Sequence, residues 1–263
     1  MGKWATRAIA LAYLAFLLIV PVGIVFYRTF KDGFAPFWDA ITTPGAEHAF
    51  RVTVEVAVFT VIGNTVFGLI AALLIARCRF PGRWMLNAFI DLPLAVSPVV
   101  VGLALILVYG RFEPIGRFLD SHGIKVIFSL PGMVLATIFV SLPLLVRVLV
   151  PILEEIGTEQ EQAAYTLGAS GVQTFRRVTL PAIRWALAYG IVLTLARALG
   201  EFGAIAVVSG GLVGKTQTLT LYVQQEFQNF DPVGAYAAAF LLALLAIVAL
   251  IVINVVRPKE HRS

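Results

Sequence analysis

Six apolar runs, at roughly 8–27, 52–76, 86–109, 126–150, 181–209 and 232–256, take up most of the chain, with short polar segments between them. Each holds the roughly 20 residues that carry a helix across about 30 Å of hydrocarbon, and none alternates as a membrane β-strand does. The pattern predicts an all-α polytopic membrane bundle of about six transmembrane helices. No fixed-period repeat or low-complexity linker divides it, so residues 1–263 read as a single transmembrane domain. The first run follows Lys3 and Arg7, as a secretory signal would. It is too long for a signal's apolar region, and YRTFKDGF follows where a small-residue cleavage site would stand, so a retained anchor is expected.

The longest polar interruption is 157–184, GTEQEQAAYTLGASGVQTFRRVTLPAIR. Thr158 with Glu161 and Ser170 with Gln173 each have capping-box spacing, which predicts two short helices in succession. Gly168 suits the left-handed residue that closes the first, and Pro181 ends the second and opens a new helix. Between the caps, Ala163 and Ala164 leave a shallow face on which another surface can sit closely.

Composition agrees with a membrane protein: 59% hydrophobic, 13% charged, mean hydropathy +0.90, where soluble domains carry about a quarter charged residues. The net charge of +5 forms no basic stripe interleaved with aromatics, which argues against nucleic acid. Cys78 is the sole cysteine, and no cysteine–histidine set has metal-ligand spacing. His48, His122 and His261 read as solvated residues of loops and tail.

The basic residues set the expected orientation. With a cytoplasmic N-terminus, twelve lie inside (Lys3, Arg7, Arg77, Arg79, Arg83, Arg147, Arg176, Arg177, Arg184, Arg257, Lys259, Arg262) and seven outside (Arg28, Lys31, Arg51, Arg111, Arg117, Lys125, Lys215). This bias puts both termini in the cytoplasm, together with the tight RCRFPGR turn and the long polar loop.

Several intramembrane residues carry candidate chemistry. Pro93 and Pro98 in DLPLAVSPVVVG each delete a backbone donor, so the third span is expected to kink, with Ser97 placed to serve the freed carbonyls. The stretch either lines a path or hinges, or it is a kinked packing helix. Arg147 lies near enough to its span's end to snorkel. Arg197 and Glu201, four apart in the fifth span, share a helical face; pairing would offset part of the roughly 2.5–3.5 kcal/mol that a mid-membrane charge costs on insertion scales. They can guide an anion, or lock helix packing or a contact with a second membrane subunit; repulsion of an anion by the carboxylate favours the lock. Ser209 to Thr216, SGGLVGKT, nearly matches a phosphate-binding loop, but serine replaces the first glycine, no strand precedes it and it falls outside the cell.

The spacing Ala163-Ala164, Gly168 and Leu180-Pro181 resembles the EAA loop of ABC-importer permeases: Glu-Ala-Ala, three residues, Gly, nine residues, Ile, one residue, Leu-Pro. Gln162 replaces the family's Glu and Val178 its Ile, and Glu161 stands one residue before the expected acid. DLPLAVSPVVVG, GTEQEQAAYTLGAS, TLPAIRWALAYGIVLTLARALGEFGAIAVVSG and GKTQTLTL extend the likeness, over essentially the whole chain, to the permeases of sulfate/thiosulfate ABC importers, above all the W-type. Molybdate permeases are similar around Gly200 to Ala204 and Thr216 to Leu219, and remain the alternative. The resemblance implies a MetI-like fold and a coupling loop at about 151–182 in which Glu161, Gln162, Ala163, Ala164, Gly168, Leu180 and Pro181 dock on a cytoplasmic ABC ATPase dimer. It also implies a second permease of the T-type, an extracytoplasmic sulfate/thiosulfate-binding protein and a place in a bacterial inner membrane. Pro93, Ser97, Pro98, Arg197 and Glu201 become candidates for the path or gate. The chain itself should hold no cofactor, since ATP and magnesium belong to the ATPase.

An intramembrane enzyme is the rival class. It needs a nucleophile–base pair or metal ligands at membrane depth, and the spans offer no histidine and only isolated serines. A signalling scaffold would use the central loop for binding alone. Sulfate, thiosulfate and molybdate are not separated by the residues themselves, nor are a paired and a duplicated permease.

Overall fold

In the computed structural model, which describes residues 3–256, every regular element is helical. Helices α1 (Lys3–Phe30) and α2 (Phe34–Ile41) lead into α3 (Pro44–Arg77). The start of α3 is set by Thr43, whose Oγ1 accepts from the Ala46 amide at 3.3 Å, with Pro44 in the first turn. The helix therefore begins eight residues before the start expected at 52. His48, expected in a loop, lies in its second turn with a buried Nε2.

The third apolar run is two helices rather than one kinked helix. Helices α4 (Arg83–Ala95) and α5 (Pro98–Tyr109) meet at 115°. Pro98 cannot donate to Leu94, so the ladder stops at the Val96 amide, which reaches Leu92 O at 3.1 Å. Ser97 is exposed and its side chain caps nothing, contrary to the role expected for it. Helix α6 (Pro114–Ser121) follows, then α7 (Leu130–Ile156).

Packing decides that the bent pair crosses the bundle. Val52 and Val56 of α3 cluster with Met133 of α7, whereas Ala72 and Ile75 cluster with Leu149 and Leu153. The two helices run parallel, so the chain between them must return. Its contacts march the same way: Arg83 meets Glu154, Asp91 meets Arg147, and Val101 packs with Ala136 and Val140. Leu145, fully buried, fits where Gly68 and Gly190 bring the neighbouring backbones close; a Cβ there would lie 2.8 and 2.4 Å from its methyls. A buried hydrogen bond from Asn64 Nδ2 to Ser141 Oγ, 2.7 Å, ties α3 to α7.

After α8 (Glu159–Thr166), helix α9 (Gly171–Thr174), a π-helical turn at Phe175–Thr179 and α10 (Leu180–Leu199) form one continuous rod. Pro181 thus does not divide the second helix from the span. The widened turn, in which the Leu180 amide reaches Phe175 O, carries the rod past a residue that has no N–H to give. The fifth span also stops early: α10 ends at Leu199, residues 200–202 are non-helical, and α11 (Gly203–Ser209) starts anew. Helix α12 (Leu219–Gln228) packs on the N-terminal part of α3, its Leu219 amide donating to Thr53 Oγ1 at 2.8 Å. Helix α13 (Pro232–Val256) runs antiparallel to α1: Thr29 Oγ1 donates to Tyr236 O, and Phe30 and Phe240 stack edge-on at 5.0 Å. Counting the bent pair as one crossing, six spans bring the start of α1 and the end of α13 to the face that carries α8. The tail residues Arg257, Lys259, His261 and Arg262 lie outside the described residues.

Candidate functional site

Of the loop expected at about 151–182, residues 157–170 lie outside the long helices, and α8 is their centre. Gly157, at φ +69°, turns the chain out of α7. The box expected at Thr158 and Glu161 does not form. Thr158 Oγ1 instead accepts from Gln162 Nε2 at 3.0 Å, and Glu161 is drawn to a cation elsewhere. The second box does form, with Gln173 N donating to Ser170 Oγ at 3.4 Å and Ser170 N to Gln173 Oε1 at 2.8 Å. Gly168, at φ +84°, closes α8 in a Schellman arrangement. Its amide reaches Tyr165 O at 3.0 Å, and the Ala169 amide reaches Ala164 O at 3.0 Å.

The two sides of α8 differ. Glu161 faces the bundle: its Oε2 lies 3.0 Å from Arg77 Nε, its Oε1 accepts from Thr179 Oγ1 at 2.8 Å, and Arg77 Nη1 donates to Leu153 O at 2.7 Å. Gln162, Ala163 and Gly168 face outward, with Ala164 half-buried. Tyr165, Leu167 and Val172, respectively 54%, 88% and 69% exposed, are three further apolar side chains of this segment that the sequence reading did not single out. Burial of apolar side chains exposed in this way would be stabilising. Leu180 and Pro181 lie at the entry to α10, on the rod.

A second constellation joins the two interrupted spans. Pro98 and Val99 at the start of α5 press on Gly203 at the start of α11, where a Cβ would lie 3.2 Å from Pro98 Cβ. Arg197 Nη1 is 2.6 Å from Glu201 Oε2. Glu201 is not on the helix as expected; it sits in the break, where its Oε1 accepts from the Ala204 amide at 2.9 Å and so caps α11. Its side chain is 1% exposed and that of Arg197 35%. Pro93 is buried, Ser97 exposed and Pro98 intermediate, so the structure brings Pro98 to this junction and leaves the Ser97 hydroxyl outside it.

Arg147 is held by both carboxylate oxygens of Asp91, with Nε to Oδ1 at 2.7 Å, a pairing the sequence reading did not name. The usable signal was a single charge of opposite sign in each of two consecutive apolar runs. The glycine-rich segment after α11 spends its polar groups on itself: Gly211 N donates to Ser209 Oγ, Leu212 N to Thr216 Oγ1, and Thr216 Oγ1 to Ser209 O. Among the described residues no group of histidine, cysteine or carboxylate side chains has the makings of a metal site.

Residues 64–262 match the model of the family described as "Binding-protein-dependent transport system inner membrane component". The chain belongs to that family. Within it, the chain is 49% identical to the sulfate transport system permease protein CysW of Synechocystis, over 99% of this chain and 95% of the relative. The Escherichia coli K12 CysW is 48% identical, over 95% and 86%. The sulfate permease protein CysT of Salmonella typhimurium is 36% identical, over 96% and 91%. Among solved structures, a chain of a bacterial ABC transporter that imports alginate superposes with a TM-score of 0.77 at 19% identity, covering 97% of this chain and 94% of that one. A chain of the inward-facing MetNI methionine transporter gives 0.56 at 18%, covering 79% and 95%. These structural likenesses establish the importer-permease fold.

Proposed function

We propose that this chain is the W-type permease subunit of an ATP-driven importer of sulfate and thiosulfate. The observation that carries the reading is identity near 49% to CysW proteins over almost the whole chain, against 36% to CysT. The gap between the two also favours a distinct T-type permease as the other half of the pore, and it weighs against a molybdate importer built from two copies. The chain crosses the inner membrane with both termini and α8 in the cytoplasm, as the arginine distribution favours.

The outward side of α8, Gln162 to Gly168 with Tyr165 and Leu167, docks on the ATPase dimer, which supplies ATP, magnesium and hydrolysis. Closure of that dimer displaces α8. The α7 end and the α9–α10 rod on either side of it carry the displacement towards the junction of Pro98, Gly203, Arg197 and Glu201, where the two interrupted spans meet and can part. An extracytoplasmic binding protein selects and delivers the oxyanion.

The test is reconstitution of this chain with a T-type permease, the ATPase and a sulfate-binding protein in liposomes, measuring uptake of radiolabelled sulfate. Uptake that needs both ATP and the binding protein, and that excess molybdate leaves intact, is expected. Molybdate uptake without sulfate uptake would overturn the substrate assignment, and uptake independent of ATP the coupling.

A further inference from the structure

The α8 loop touches the bundle through one polar cluster whose members come from three separate helices. Arg77 is the last residue of α3, Leu153 lies in the last turn of α7, and Thr179 closes the π turn that opens α10. Glu161 of α8 engages two of them directly, pairing with Arg77 Nε and accepting from Thr179 Oγ1. Arg77 reaches the third through Leu153 O, one of the terminal carbonyls that an α-helix cannot satisfy internally. The side chains of Arg77 and Glu161 are only 14% and 16% exposed, and the space between them and Ile156, Val178 and Ile183 is a cavity of about 10 Å³. Close packing of this kind transmits displacement with little slack.

We infer that Arg77 and Glu161 form a transmission clamp, through which movement of the docked α8 reaches α3 and the α9–α10 rod together. The inference rests on the docking reading and deepens it. Glu161 is thereby a positioning residue rather than a docking contact, because both of its oxygens point into the bundle while the apolar tip of the loop points away. Without the clamp, α8 hangs from flexible turns at Gly157 and Gly168 and can follow the ATPase without moving the spans. The clamp also gives α3 a part in the power stroke: the loop is remote from α3 in sequence but bonded to its end in space.

The experiment uses the complete complex in liposomes and compares the parental chain with Glu161→Gln, Arg77→Gln, Thr179→Val and the exchanged pair R77E/E161R. For each, sulfate carried per ATP hydrolysed is measured. In parallel, Thr166→Cys, at the exposed end of α8 in a C78S background, is cross-linked to the ATPase. The two single charge removals should lower the transport-to-hydrolysis ratio about tenfold, within the range found for directly coupled neighbours, while the tip still cross-links. The exchanged pair should recover part of the ratio through the restored ion pair but not all of it, since a carboxylate at position 77 cannot donate to Leu153 O nor a guanidinium at position 161 accept from Thr179 Oγ1, and Thr179→Val should show a smaller loss. A normal ratio in Glu161→Gln would overturn the clamp. So would loss of the cross-link in Glu161→Gln alone, which would make Glu161 part of the docking surface, or an exchanged pair no better coupled than the single charge removals. Absence of the cross-link even in the otherwise parental chain would instead overturn the docking reading, and the clamp with it.

Discussion

Leu167 gives the sharpest test of where the ATPase sits. It follows α8, is 88% exposed, and its amide is bonded within the helix end, to Ala163 O at 3.2 Å and to Tyr165 O. Replacement by serine removes almost no intramolecular contact, so the permease should keep its melting temperature to within a degree or so, as surface changes generally do. Docking is different. Full burial of a leucine side chain stabilises by about 1.5–3 kcal/mol, and nearly all of this side chain is available to be buried. At roughly 1.4 kcal/mol per tenfold in affinity, L167S should weaken ATPase binding by about 10- to 150-fold. The measurement is the dissociation constant of the ATPase for the permease pair in lipid nanodiscs, with thermal unfolding of the same samples as the control. A change below about threefold, smaller than a half-buried side chain would give, would show that the tip is not in the interface. A large fall in melting temperature would show that Leu167 is part of the fold.

Gly168→Val should impair the closure of α8 without any clash, since no atom lies within 4 Å of a built Cβ; the strain is the left-handed backbone, about 1–3 kcal/mol for a side chain there. Gly168→Asn, which tolerates that conformation, should keep most of the sulfate uptake that the valine variant loses. At the helix junction, a Cβ on Gly102 would stand 2.8 Å from Ala204 O and 2.9 Å from Val207 Cβ, so Gly102→Ala should destabilise by about 1–3 kcal/mol. Gly200→Ala, whose Cβ would meet nothing nearer than 3.9 Å, should be mild, and thermal unfolding of both variants in detergent checks the contrast. Glu201→Ala loses the partner of Arg197 and the cap on the Ala204 amide together. Its cost should approach but not exceed about 3 kcal/mol, the lower bound for breaking a fully buried pair, because Arg197 is a third exposed. Glu201→Gln keeps an acceptor for Ala204 and should cost less, and equal losses in unfolding experiments would refute the capping role.

The spans were legible because a membrane leaves an apolar run no alternative: its backbone must bond internally, and about twenty residues set the length. Gly168 and the Ser170–Gln173 box were legible for a similar reason, since each is a local device that completes itself within a few residues. The family pattern of alanines, glycine and Leu-Pro likewise lies in one continuous stretch. Thr158 and Glu161 have the same spacing as the box that forms, yet Arg77, far away in sequence, captures the carboxylate. Spacing shows which partners are possible, and only the fold shows which competitor is near.

The same limit applies inside the bundle. Two prolines announced a weak point in the third span, but whether the helix would kink or break at 115° depended on α7 and α11 being there to receive its two halves. Arg197 and Glu201 were recognisable as a pair. That Glu201 stands in a gap and caps a new helix followed from Thr220 and Pro98 packing at that gap, with Thr220 Oγ1 donating to Glu201 O at 3.0 Å. Asp91 and Arg147 find each other only because α4 runs back along α7. The sequence by itself determined the membrane class, the apolar runs that become spans and the outline of the polar loop that carries α8, all of which arise from interactions within short stretches. The tertiary structure alone decided which charges pair, where the helices break and which side of α8 faces outward, because each of these turns on a contact between residues that the chain holds far apart.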